Sequence, residues 1–189
     1  MTYIGIDPGK NGAVAVLRSH GNKVWTAEVH DTPNKSGEEK DAKNRGYDEK
    51  GMAALMRGIV TDHESYACME RVNSQDHDGH VGAFSSGYGW GLWRGILATL
   101  KVPCELVDPR KWKNDQGLPF CADYDQRKEK ARALAQRYFP DLAATHLSRK
   151  KDHDRAEALL IAHWWRKKHV WIREMNKPFS VGIEPTAAA

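Results

Sequence analysis

Hydrophobic and polar positions alternate from the start of the chain. Over residues 1–7, Ile4 and Ile6 share one face while Tyr3, Gly5 and Asp7 share the other, which is the period of a β-strand. Residues 7–12 (Asp-Pro-Gly-Lys-Asn-Gly) read as a turn, since proline fixes one φ and the glycines admit positive φ. Residues 12–17 and 23–32 predict two further strands, and strands joined in succession by turns predict an antiparallel meander. Residues 33–47 are polar and predict an exposed, weakly ordered loop. The period then becomes helical: Met52, Leu55, Met56 and Ile59 predict a helix over 52–60. A strand over 65–72 carries Glu70 near its end, and residues 74–80 return to a polar loop.

The second half reads as crossovers. Residues 81–100 predict a helix despite their glycines, of which Gly87, Gly91 and Gly95 fall on one face. Each costs about 1 kcal/mol relative to alanine, so close packing against a sheet or another helix has to compensate. Residues 104–107 predict a short strand, 108–118 a basic loop containing Trp112, 123–138 a helix closed by Pro140, and 152–171 a last long helix. A meander followed by βα units predicts an α/β fold: a mixed five-stranded sheet flanked by helices. One domain is expected over 1–177, with an irregular tail over 178–189.

Composition changes this picture little. The chain has 189 residues, 40% of them hydrophobic and 29% charged, ordinary values for a globular domain with a proper core. No apolar run of about 18 residues occurs, so no membrane partner is expected. The chain opens directly on strand-like sequence, which predicts no secretory signal. The cysteines Cys68, Cys104 and Cys121 are scattered without metal-site spacing. They point to a reducing, intracellular and cytoplasmic setting and away from structural zinc. A net charge of +4 permits a polyanionic partner without requiring one.

The candidate chemistry lies in acids from separate elements. Asp7 ends the first strand and Glu70 the fourth, and their carboxylates meet if those strands are neighbours. Asp154 and Glu157 stand i, i+3 on the last helix and so share a face. Singly, each has an ordinary role as turn former, solvated strand end or helix cap. Together, clustered carboxylates repel and must share protons or bind cations, and an all-oxygen donor set favours Mg²⁺ or Mn²⁺.

These segments, Ile4-Gly5-Ile6-Asp7-Pro8-Gly9, Met69-Glu70-Arg71-Val72 and Asp154-Arg155-Ala156-Glu157-Ala158-Leu159-Leu160-Ile161-Ala162, resemble the RuvC family of Holliday-junction resolvases, within the ribonuclease H-like superfamily. The similarity runs over roughly 3–165, and the run Lys150-Lys151-Asp152-His153-Asp154 further resembles its phage and poxvirus-like branches. The resemblance implies a ribonuclease H-like fold and a Mg²⁺-dependent endonuclease acting as a homodimer on branched DNA in a bacterial or phage-infected cell. It assigns Asp7, Glu70, Asp154 and Glu157 as metal ligands holding two ions. It also matches Lys113 and Lys128 to lysines that contact DNA or assist the chemistry.

Two departures stand out. The family usually has Asp where this chain has Glu157, with Asp152 a second candidate on that helix. An aromatic residue that stacks at the junction centre is replaced by Asn73, unless Tyr88, Trp90 or Trp112 substitutes. Arg110, Lys111, Lys113, Lys128, Asn73, Lys150 and Lys151 form the candidate DNA-contacting set, although Lys128 reads equally well as part of a solvated helix face. Flaps, forks and RNA–DNA hybrids remain alternative substrates, and a non-cutting branched-DNA binder an alternative role. Actin- and hexokinase-type proteins also open with a strand ending Asp-x-Gly. This chain is too short for their two lobes, so no nucleotide cofactor is expected.

Overall fold

The computed structural model describes residues 1–19, 25–35, 46–60, 64–72, 79–118 and 121–175. The meander is present as β1 (Thr2–Asp7), β2 (Ala13–Ser19) and β3 (Trp25–Asp31), paired antiparallel. After α1 (Glu49–Ile59), β4 (Ser65–Glu70) returns parallel to β1. After α2 (His80–Thr99), β5 (Cys104–Val107) adds parallel to β4, giving the sheet order β3-β2-β1-β4-β5. The chain continues through α3 (Pro109–Asp115), α4 (Tyr124–Tyr138) and α5 (Pro140–His146). A 3₁₀ turn (Lys150–Asp152) then leads into α6 (His153–Met175).

Strand alternation sorts the side chains into two cores. Ile4, Ile6, Val14, Val16, Ala67 and Met69 pack with Met52, Met56, Trp93 and Leu97 of α1 and α2. Tyr3, Ala13, Ala15 and Cys68 point to the other side, where α6 lies with Ala156, Ala158, Leu159 and Ala162. Small residues dominate that second interface. At Gly5 the approach is so close that any Cβ would collide with the Ala158 carbonyl and the Ala162 amide. By the same parity Asp7 and Glu70 end their strands on the α6 side.

Three expectations need correction. Residues 108–118 hold a helix: Asp108 accepts a hydrogen bond from the Arg110 amide at 2.8 Å, and Pro109 occupies the first turn, where a missing N–H costs nothing. Pro140 does not merely close α4 but opens α5 by the same logic. The 33–47 stretch is not wholly exposed, because Tyr47 is buried in the α1–α2 core and bridges to Asn34. Residues 36–45, the 73–78 part of the second loop, the expected domain end at 177 and the tail 178–189 lie outside the described residues.

Candidate active site

Because β1 and β4 are neighbours in parallel register, with Ile6 opposite Met69, their terminal acids emerge together at the C-terminal ends of two interior strands. Asp154 and Glu157 project from the first turns of α6 toward the same place. Asp7, Asp154 and Glu157 each offer a carboxylate oxygen, all within 4.8 Å of one another. Glu70 stands beside this triplet, near enough for its charge to repel those of Asp7 and Glu157.

The charges are unevenly balanced. Burial, then repulsion from Glu157, Glu70 and Asp154, pushes the Asp7 carboxyl well above its ordinary range. Burial likewise raises Glu70, against the opposing pull of Lys113 and a hydrogen bond from Trp112. Glu157 is only 5% exposed, and burial alone would raise it, but Lys128 and Lys113 outweigh that and hold it below its usual value. Lys128 Nζ lies 3.2 Å from both Asp154 Oδ1 and Glu157 Oε2, and Lys113 Nζ lies 3.3 Å from Glu157 Oε1. Desolvation opposes the Lys128 charge, yet Glu157, Asp154 and Asp7 together raise its pKa above the ordinary lysine value. Lys128 is therefore a partner of the acids and not a member of a solvated helix face.

Other expected site residues fall elsewhere. Asp152 is 2% exposed and clamped by Arg149 at 2.9 Å and Arg155 at 3.6 Å, so it anchors the start of α6 and is not a substitute ligand. His153 does reach the cluster, with Nε2 3.1 Å from Asp154 Oδ1. Arg110 and Lys111 lie on the exposed face of α3, Lys111 paired with Asp115. Lys150 is exposed and paired with Asp125, and Lys151 is exposed. Asn73 lies outside the described residues. Trp112 is fully buried and donates to Glu70, so it cannot serve as a base-stacking platform, and Trp90 is half-buried with Arg94 over its ring. The contact of Trp112 with the site was missed in sequence because 108–118 reads as a loop. The Asp-Pro pair that starts a helix there was the available signal.

The donor set suits a divalent cation: hard carboxylate oxygens, close enough to share one ion, at a point that already draws two ammonium groups. No family model matches the chain. A curated relative, the chloroplastic Holliday junction resolvase MOC1 of Chlamydomonas reinhardtii, is 38% identical over 88 residues, 46% of this chain and 9% of that protein. The structure of Thermus thermophilus RuvC in complex with Holliday junction substrate superposes with a TM-score of 0.55 at 17% identity, covering 93% of this chain and 97% of that one. A second Thermus thermophilus RuvC structure gives 0.53 at 18%, covering 89% and 97%. The fold is RuvC-like. The acid cluster thus stands on a RuvC-like, ribonuclease H-like scaffold, with the five-stranded mixed sheet and flanking helices that the hydrophobic pattern predicts.

Proposed function

We propose that this chain is a divalent-metal-dependent, structure-selective endonuclease that cleaves four-way or otherwise branched DNA. The observation that carries the reading is the convergence of Asp7, Asp154 and Glu157 at the end of a RuvC-like sheet, with Glu70 near enough for its charge to act on Asp7. The similarity to MOC1 supports the choice of substrate. Asp7, Asp154 and Glu157, with Glu70 beside them, would hold two Mg²⁺ or Mn²⁺ ions. When bound, such ions supply Lewis-acid activation of water and neutralise charge developing on the phosphate. The protein's own part is positional. β1 and β4 fix two carboxylates at rigid strand ends, and α6 brings two more. Lys113 and Lys128 hold ammonium groups against Glu157, from which they would turn to a phosphate oxygen once the acids hold cations. The expected products are a 5′ phosphate and a 3′ hydroxyl.

A homodimer through α2 belongs to the same proposal. Gly87, Gly91 and Gly95 are exposed, and nothing lies within 4 Å of where their side chains would start. They line an apolar groove of about 580 Å³ with Ala53, Leu92 and Ile96. Val81 and Phe84, 84% and 77% exposed, extend the same face. A second copy of α2 fits this stripe, since glycine-lined helices approach each other closely.

The test is a labelled synthetic four-way junction, with linear duplex, flap and RNA–DNA hybrid as controls, in Mg²⁺, Ca²⁺ or EDTA. The expected result is paired nicks in the junction that need Mg²⁺ and fall by about a thousandfold or more in Asp7→Asn, while junction binding persists. Undiminished cutting by Asp7→Asn would refute the site. Preference for flaps or hybrids would replace the substrate, and tight binding with no cutting in any metal would make the chain a binding module.

A further inference from the structure

We propose that Trp112 is a positioning residue of this site: its indole N–H holds Glu70 in the orientation that completes a divalent-cation position beside Asp7. The inference rests on the nuclease reading above. Trp112 Nε1 donates to Glu70 Oε2 at 2.8 Å, and the Trp112 side chain is fully buried. That bond occupies one carboxylate oxygen of Glu70 and leaves the other for an ion. The donor is neutral, which distinguishes it from the lysines. Lys113 and Lys128 neutralise the acids they touch and so compete with a cation, whereas an indole orients Glu70 without cancelling its charge.

Burial alone does not supply an indole with a partner in this fold. Among the described residues, the buried Nε1 atoms of Trp90, Trp93 and Trp165 have none. The Trp112 bond is instead built in by α3, which is pinned at several points. Asp108 caps its start, Trp164 Nε1 donates to Asp115 Oδ2 at 2.8 Å, and Gln116 Nε2 donates to the Leu160 carbonyl at 3.1 Å. Lys113, the next residue, reaches Glu157 while its Nζ lies 4.9 Å from the Trp112 ring. One short helix thereby touches both the strand acid and the helix acid. Outer-shell groups of this kind commonly change metal affinity by about 10–100-fold when lost.

The test is calorimetric titration of Mn²⁺ into the full chain without DNA, for the native protein, Trp112→Phe, Glu70→Ala and the double variant. Trp112→Phe should weaken Mn²⁺ uptake about tenfold. In the Glu70→Ala background the same change should have no further effect. That coupling is what a merely structural role would not produce. Should Trp112→Phe fail to fold, replacement of Trp112 by β-(3-benzothienyl)alanine keeps the shape, deletes only the N–H, and must give the same result. An isotherm indifferent to Trp112, or a loss equally large without Glu70, overturns this inference and leaves the nuclease reading intact. A native protein that takes up no Mn²⁺ overturns both.

Discussion

Glycine does opposite work on the two faces of the sheet. At Gly5, α6 crosses β1 so closely that a side chain would strike its backbone. At Gly87, Gly91 and Gly95, α2 presents the same residue to open space. The α6 face is closed within one chain, and it is the face that gathers the acids. The α2 face is left open on its outer side while Trp93 and Leu97 bury its inner side. A run of small residues therefore announces a close approach without saying whether the approaching surface belongs to the same chain.

The comparison breaks most sharply at Gly5. Gly5→Val should push α6 off β1 and cost about 3 kcal/mol or more, since its new atoms meet backbone and not a yielding side chain. For a chain of this size that lowers the melting temperature by roughly 10 °C. A melting temperature within about 2 °C of the native value would show that the interface is looser than the structure indicates.

On α2 the sign should reverse. Alanine at Gly87, Gly91 and Gly95 together removes a helix penalty of about 1 kcal/mol each with nothing to collide with inside the chain. The monomer should melt several degrees higher, while the dimer proposed through α2 should weaken in sedimentation, because the added methyl groups would hold its two helices apart. A destabilised monomer would mean that these glycines pack within the chain after all.

The placement of the candidate acids was legible because it depends on strand order and helical spacing, both of which leave strong patterns. Asp7 and Glu70 follow from parity on neighbouring strands, and Asp154 and Glu157 from i, i+3 spacing. What escaped is what depends on long-range packing. Lys128 belongs to a helix rich in charge, and only the fold singles out the one ammonium group that reaches Asp154 and Glu157. Asp152 and Asp154 look interchangeable in sequence, yet Arg149 and Arg155 claim the first and leave the second for the cluster. Trp112 was hidden by an unrecognised helix start at Asp108-Pro109.

The smallest effect expected lies farther along α6 and tests whether acid sensitivity belongs to that face alone. His163 stacks on Tyr138 at 4.5 Å and meets Phe139 edge-on at 6.0 Å. Burial, then the charges of Arg166 and Lys167, hold its pKa down to about 4 from an ordinary 6.5. Between these values the unfolded chain binds a proton that the folded chain refuses, so the contribution to stability is complete above the unfolded value and drains away as pH falls toward about 4. The groove on α2 includes no histidine. The raised carboxyls of Asp7 and Glu70 act in the opposite direction, since a folded state that binds protons more readily gains stability on acidification. They are common to the native protein and His163→Phe, and cancel when the two are compared. Between about pH 7 and pH 5 the native melting temperature should therefore fall by about 3 °C more than that of His163→Phe, which keeps an aromatic ring against Tyr138 but cannot take up a proton. Parallel melting curves for the two proteins would show that the ring is solvated well enough to titrate normally, and would leave the α6 face no more acid-sensitive than the groove on α2.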